Sequence, residues 1–217
     1  MNALSSIDFA QVFILFVVLL FSLTVHEAAH AWTADTLGDP TARVLGRVSL
    51  NPIVHIDPIG TILFPLLAIV AGVPLIGWAK PVPVNVSKLR HHRRDYVLVA
   101  AAGPASNLVL AIAAAIALKL IPVSPVISGE ANVTVPIASM LSRALYINVH
   151  LAVFNMIPIP PLDGGNVIGG LLPRPRAYRF DALIRPYGFI LLYALMLTRG
   201  LDYLIGRPSS LLLSWLQ

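Results

Sequence analysis

What most constrains this chain is a series of long stretches that carry no charged side chain. Residues 9–25, 59–79, 96–118 and 144–162 contain no Asp, Glu, Lys or Arg, and a shorter stretch, 186–198, sits between Arg185 and Arg199. A helix that crosses a bilayer needs about 20 apolar residues. Backbone inside lipid must also satisfy its own hydrogen bonds, as a helix does. Composition agrees: of the 217 residues, 57% are hydrophobic and 12% charged, against about 25% charged in an ordinary soluble domain. A soluble domain of this size has too little interior to hide so much apolar surface. The expected architecture is all-α, a polytopic membrane helix bundle with the lipid bilayer as its surroundings.

The first apolar stretch does not read as a cleaved leader. The residues before Phe9 include Asp8 and no Lys or Arg, and the run continues into polar residues that cleavage would remove. No repeat or linker divides the chain. It reads as a single membrane domain over 1–217, with a core at about 9–165 and an extra C-terminal helix at about 182–217. The tail from Ser209 is apolar, too short to span, and expected in the interface.

The formal charge is +5, and the basic residues are clustered. Without the aromatic interleaving of RNA-binding surfaces, they argue for topology signals and against a nucleic-acid partner. With the first helix running outside-to-inside, Arg43, Arg47, Lys80, Lys88, Arg90, Arg93 and Arg94 fall in one cytoplasmic connection. Arg174, Arg176, Arg179 and Arg185 fall in another. Both satisfy the positive-inside rule only if residues 59–79, between the first and second core helices, form a re-entrant segment that dips in and returns. Pro65, Gly72, Pro74 and Gly77 suit such a path. A plain spanning helix is the alternative.

The chemistry concentrates at His26-Glu27-Ala28-Ala29-His30. Positions i and i+4 share a helix face, so the two imidazoles can bind one Zn2+, with Glu27 beside it as general base. Ionisable groups in a membrane helix are costly and functional by default. A catalytic zinc needs a third protein ligand and an open position. There are no cysteines, which excludes thiolate ligands and disulfides. Glu130, the only other glutamate, lies in an external loop. His91 and His92 stand in a basic cluster, and His150 is about 20 Å along its helix from Asp163 at 1.5 Å per residue. Asp163 remains, after Pro160-Pro161-Leu162 and before Gly164-Gly165. There the prolines end the helix and the glycines let the chain turn.

These motifs resemble the site-2 protease family of intramembrane zinc metalloproteases. The resemblance rests on His26–His30 and on the run Phe154-Asn155-Met156-Ile157-Pro158-Ile159-Pro160-Pro161-Leu162-Asp163-Gly164-Gly165. Residues 51–60 and Ala102-Gly103-Pro104-Ala105-Ser106-Asn107 add to it, so it covers about 24–165. It implies one zinc ion on His26, His30 and Asp163, Glu27 as catalytic base, and Asn155 at the site, holding substrate or polarising its carbonyl. It also implies hydrolysis of a peptide bond within or near the transmembrane segment of another membrane protein, in the cell membrane and towards its cytoplasmic side. No PDZ-like domain interrupts this chain, as one does in some relatives.

Some assignments stay open at this point. His55 and Asp57 fit either the orientation of a ligand histidine or a turn. Residues 43–50 read as an edge strand or an ordinary turn. Gly103 and Asn107 read as helix-packing residues. A membrane metal-ion transporter and a catalytically silent relative that binds membrane helices are the competing functions.

Overall fold

The computed structural model describes residues 9–64, 66–67, 78–121 and 134–217. These residues are helical throughout their regular parts, with no strand among them. The long elements are α1 (Phe9–Thr36), α3 (His92–Leu120) and α4 (Thr134–Asn155). Between α1 and α3 lies the short α2 (Thr41–Val44). After α4 come α5 (Asp163–Leu171), α6 (Arg174–Ile184), α7 (Gly188–Leu197) and α8 (Gly200–Leu216). Four helical stretches are long and apolar enough to cross a membrane: Gln11–Thr36, His92–Leu120, Thr134–Asn155 and Arg174–Leu197. Each contains most of an uncharged run of the sequence (9–25, 96–118, 144–162 and 186–198) with charged residues outside that run, because a helix satisfies its backbone without water. The chain is a multi-pass membrane protein.

α1, α3 and α4 form the frame of the site. His30 on α1 meets Val99 on α3, and His26, one turn earlier, meets Asn107, two turns later. The two helices are therefore antiparallel. The connection between them closes on itself, with the Arg90 amide donating to the Leu37 carbonyl at 3.1 Å. Asp39, fully buried, pins this junction by accepting from the backbone and hydroxyl of Thr41 and from the Asn85 amide. The chain thus leaves and re-enters the bundle at one end. The re-entrant path expected of residues 59–79 falls largely on residue 65 and residues 68–77, outside the described residues. Its described start is a π-helical turn, Pro58–Leu63, whose first amides Asp57 caps.

α5 is set against the start of α3. Arg93 donates to the carbonyls of Gly169, Gly170 and Leu172, which the end of α5 leaves free. Gly164 and Gly165 act here by size. A Cβ on Gly164 would stand 2.2 Å from the Met156 carbonyl oxygen, and one on Gly165 2.4 Å from the Pro160 nitrogen. Both lie within α5, so they serve close approach of the helix start to the preceding turn, rather than the sharp bend expected of them.

The C-terminal region is more divided than one extra helix. Arg199, in the left-handed region at φ 57°, separates α7 from α8. The tail from Ser209 is the second half of α8 and packs inward. Leu213 joins Ala111, Ala114 and Ala115 of α3 and Leu145 and Val149 of α4 in one apolar cluster.

Candidate metal centre

His26 and His30 project from one face of α1 into the cleft closed by α3 and α5. Both are buried, at 4% and 8% exposure. Their Nε2 atoms are 3.0 Å apart. The Asp163 side chain, at the first residue of α5, puts Oδ2 3.1 Å from His26 Nε2 and 3.4 Å from His30 Nε2. Ligand atoms about 2.0–2.1 Å from a tetrahedral zinc stand about 3.3 Å from one another, so the three spacings fit one ion.

The outward faces of the imidazoles fix their tautomers. His26 Nδ1 donates to Asn107 Oδ1 at 2.6 Å, and His30 Nδ1 donates to the Val99 carbonyl at 2.7 Å. With Nδ1 protonated, each neutral ring turns a lone pair inward at Nε2. Three electron-rich atoms therefore converge, and Asp163 Oδ2 is a buried oxygen without a hydrogen-bond donor. Such a cluster needs a cation at its centre, either a proton on one ring or a metal ion. His26, His30 and Asp163 form a group able to hold that metal.

The acceptor for His26 belongs to a larger network. Asn107 Nδ2 donates to Asn148 Oδ1 at 2.8 Å and to the Ser22 carbonyl at 3.4 Å, and Asn148 Nδ2 donates to Ser22 Oγ at 2.9 Å. These donations assign the Asn107 oxygen to His26. Asn107, Asn148 and Ser22 are all buried at 1% exposure or less. Gly103 faces the same cleft: a Cβ there would stand 2.3 Å from His30 Nε2 and 2.5 Å from His26 Nε2. Its lack of a side chain leaves the room an ion would take. Gly103 and Asn107 are thus more than packing residues: Gly103 faces both histidine rings and Asn107 holds His26, contacts that only the tertiary structure sets. No motif in the sequence marks Asn148 or Ser22. Their one signal was an amide and a hydroxyl placed in otherwise apolar runs.

Glu27, on the adjacent face, is half-buried, and its Oε2 accepts from the Val82 amide at 3.1 Å. Asn155 closes α4 and donates through Nδ2 to the Leu151 carbonyl at 3.0 Å; no hydrogen bond joins it to the histidines or Asp163. His55 bonds the Ser49 carbonyl and Asp57 caps the next turn, so both hold loops rather than a ligand histidine. Residues 43–50 form the end of α2 and turns, without a strand. His150 is exposed and bonds its own helix at Tyr146, which places it on the outside of the bundle and not along an internal ion path.

Residues 14–195 match the description of peptidase family M50. The chain belongs to peptidase family M50. Its relatives agree with the donor set. YwhC of Bacillus subtilis, named as a zinc metalloprotease, is 38% identical over 91% of this chain and 89% of its own. Rip2 of Mycolicibacterium smegmatis, also named as a zinc metalloprotease, is 30% identical over 93% of this chain and 73% of its own. No solved structure matches. This M50 chain is a zinc metallopeptidase of the intramembrane, site-2 type. The family match selects that function over a transporter.

Proposed function

We propose that the chain hydrolyses a peptide bond within or near the transmembrane segment of another membrane protein, using one zinc ion held by His26, His30 and Asp163. The observation that carries this reading is the convergence of two Nε2 lone pairs and one carboxylate oxygen at 3.0–3.4 Å in a buried cleft beside a glutamate. Bound zinc supplies Lewis acidity, acidifying a water and polarising a carbonyl.

The remaining work falls to the chain. Asn107 and the Val99 carbonyl hold the two rings in the ligating tautomer. Glu27 is the general base. With Oε2 on the Val82 amide, Oε1 takes the proton of the attacking water and the carboxyl returns it to the leaving amine. Gly103 keeps the reacting volume open. Asn155 spends one N–H on Leu151 and keeps its second N–H and its carbonyl oxygen for the substrate backbone. A helical substrate must unwind locally to present a bond to Glu27, since its backbone groups are otherwise paired.

The site faces the cytoplasm in this reading, in the cell membrane, within one membrane domain. Support comes from the helix ends: α1 finishes, α3 begins and α5 begins at one end of the bundle, and Lys88, Arg90, Arg93, Arg94, Arg174, Arg176 and Arg179 lie at those junctions. The test is Glu27→Gln in proteoliposomes carrying a tagged single-span model protein. Cleavage is expected to vanish while zinc stays bound. Cleavage at the parent rate overturns the proposal.

A further inference from the structure

Arg47 is a buried arginine without an acid. It is 6% exposed, and the arginines that form ion pairs among the described residues are Arg43, Arg185 and Arg199. A buried charge persists only where it is well hydrogen-bonded. The Arg47 guanidinium bonds backbone instead. It donates to the Val54 carbonyl, to the Lys80 carbonyl at 2.7 Å and to the Pro81 carbonyl at 3.1 Å.

The last two carbonyls belong to an irregular strap, residues 78–85, which crosses from the loop at His55 towards α1. The strap is also tied at its near end, where the Lys80 amide donates to the His55 carbonyl at 2.8 Å. The residue after the clamped pair is Val82, and its N–H is the one that reaches Glu27 Oε2, at 3.1 Å. Pro81 and Pro83 flank it and have no N–H to offer. Val82 is thus the single donor of this three-residue stretch, and its neighbour's carbonyl is in the grip of Arg47.

We infer that Arg47 is a positioning residue for Glu27: by clamping the Lys80 and Pro81 carbonyls it fixes the Val82 amide, and that amide fixes the carboxylate. The inference rests on the reading of Glu27 as general base. A glutamate side chain has three rotatable bonds, and a base must be held to a fraction of an ångström to take a proton efficiently. One oxygen anchored on a rigid amide leaves the other with a defined direction. A guanidinium suits this task because its planar fork joins two segments: Nη2 reaches the Lys80 and Pro81 carbonyls of the strap while Nη1 holds the Val54 carbonyl of the loop at His55.

The test uses the full chain in detergent micelles with a labelled transmembrane-helix peptide as substrate, measuring kcat, KM and zinc content together. Arg47→Met is expected to lower kcat about 10- to 100-fold, with KM within about two-fold and zinc unchanged. Val82→Pro removes the N–H and keeps the Lys80 and Pro81 carbonyls that Arg47 clamps; it is expected to reproduce that loss. In the Glu27→Asp background the shorter carboxylate no longer reaches Val82, so Arg47→Met is expected to cost less than about three-fold there. Either single variant keeping kcat within about three-fold of the parent overturns the inference. So do equal losses in the two backgrounds, since a merely structural clamp is additive. Loss of zinc in Val82→Pro overturns it too, because the strap would then support the fold and not the base. Glu27→Gln, run alongside, separates the two levels. If that variant stays active, the base reading itself fails. If it is inactive while Arg47→Met and Val82→Pro remain active, only the positioning role fails.

Discussion

Replacing Asn107 by alanine tests how much of the metal site is built outside the ligands. Asn107 Oδ1 accepts from His26 Nδ1 at 2.6 Å, and the residue is fully buried. The substitution leaves a buried ring N–H without an acceptor, at a cost of about 1–3 kcal/mol. It also strips Asn148 Oδ1 and the Ser22 carbonyl of their donor. The ring can recover by moving its proton to Nε2, but that form presents a hydrogen where the ion belongs. Most of the cost therefore falls on metal binding, and an affinity loss of about 10- to 100-fold is expected. The assay is competition for zinc against a chromophoric chelator in micelles, with thermal unfolding of the zinc-free protein as control. Asn107→Asp keeps an acceptor for Nδ1 and is expected to bind zinc more tightly than Asn107→Ala. Affinity within about two-fold of the parent in Asn107→Ala would refute the reasoning.

Three further outcomes follow from the geometry. Gly103→Ala puts a methyl 2.3 Å and 2.5 Å from the two Nε2 atoms, so it is expected to abolish zinc binding and activity, as read by metal analysis. His26→Ala and Asp163→Ala are expected to lose zinc and activity together, whereas Glu27→Gln loses activity alone. Asp39→Asn weakens the Thr41 and Asn85 contacts at a cost of about 1–3 kcal/mol, seen as a lower unfolding midpoint at pH 7. Burial raises the Asp39 carboxyl, but the bonds from Thr41 and Asn85 and the charge of Lys88 outweigh it and hold the group below its usual 3.8. Its stabilisation is therefore complete above that value and lost as pH falls through the lower, folded one. The gap between Asp39→Asn and the parent is expected to close in that acid range.

Local patterns carried most of what could be read in advance. The uncharged runs 9–25 and 96–118 and most of 144–162 became the long helices because length and hydropathy are properties of a segment by itself. His26 and His30 share a face because four residues separate them on a helix. Asp163 emerges by elimination of Glu130, His91, His92 and His150, aided by the scarcity of glutamate, with two in the chain. What stayed hidden joins distant segments. Asn107 with Asn148 and Ser22, and Arg47 with Lys80 and Pro81, are contacts across 33 to 126 residues of chain, and no periodicity marks them. Gly164 and Gly165 were visible as glycines, but their role depends on how closely α5 meets the Met156–Pro160 turn. The inward packing of the tail from Ser209 stayed hidden because its partners on α3 and α4 lie about 65 to 100 residues earlier in the chain.

X-ray absorption at the zinc edge of the purified protein, measured for the parent and for Asp163→Ala, tests the central claim most directly. One zinc per chain is expected, with two imidazole nitrogens and a carboxylate oxygen at about 2.0–2.1 Å, and loss of the ion in the variant. A parent spectrum lacking the two imidazoles, or a variant that binds zinc as tightly as the parent, would contradict it.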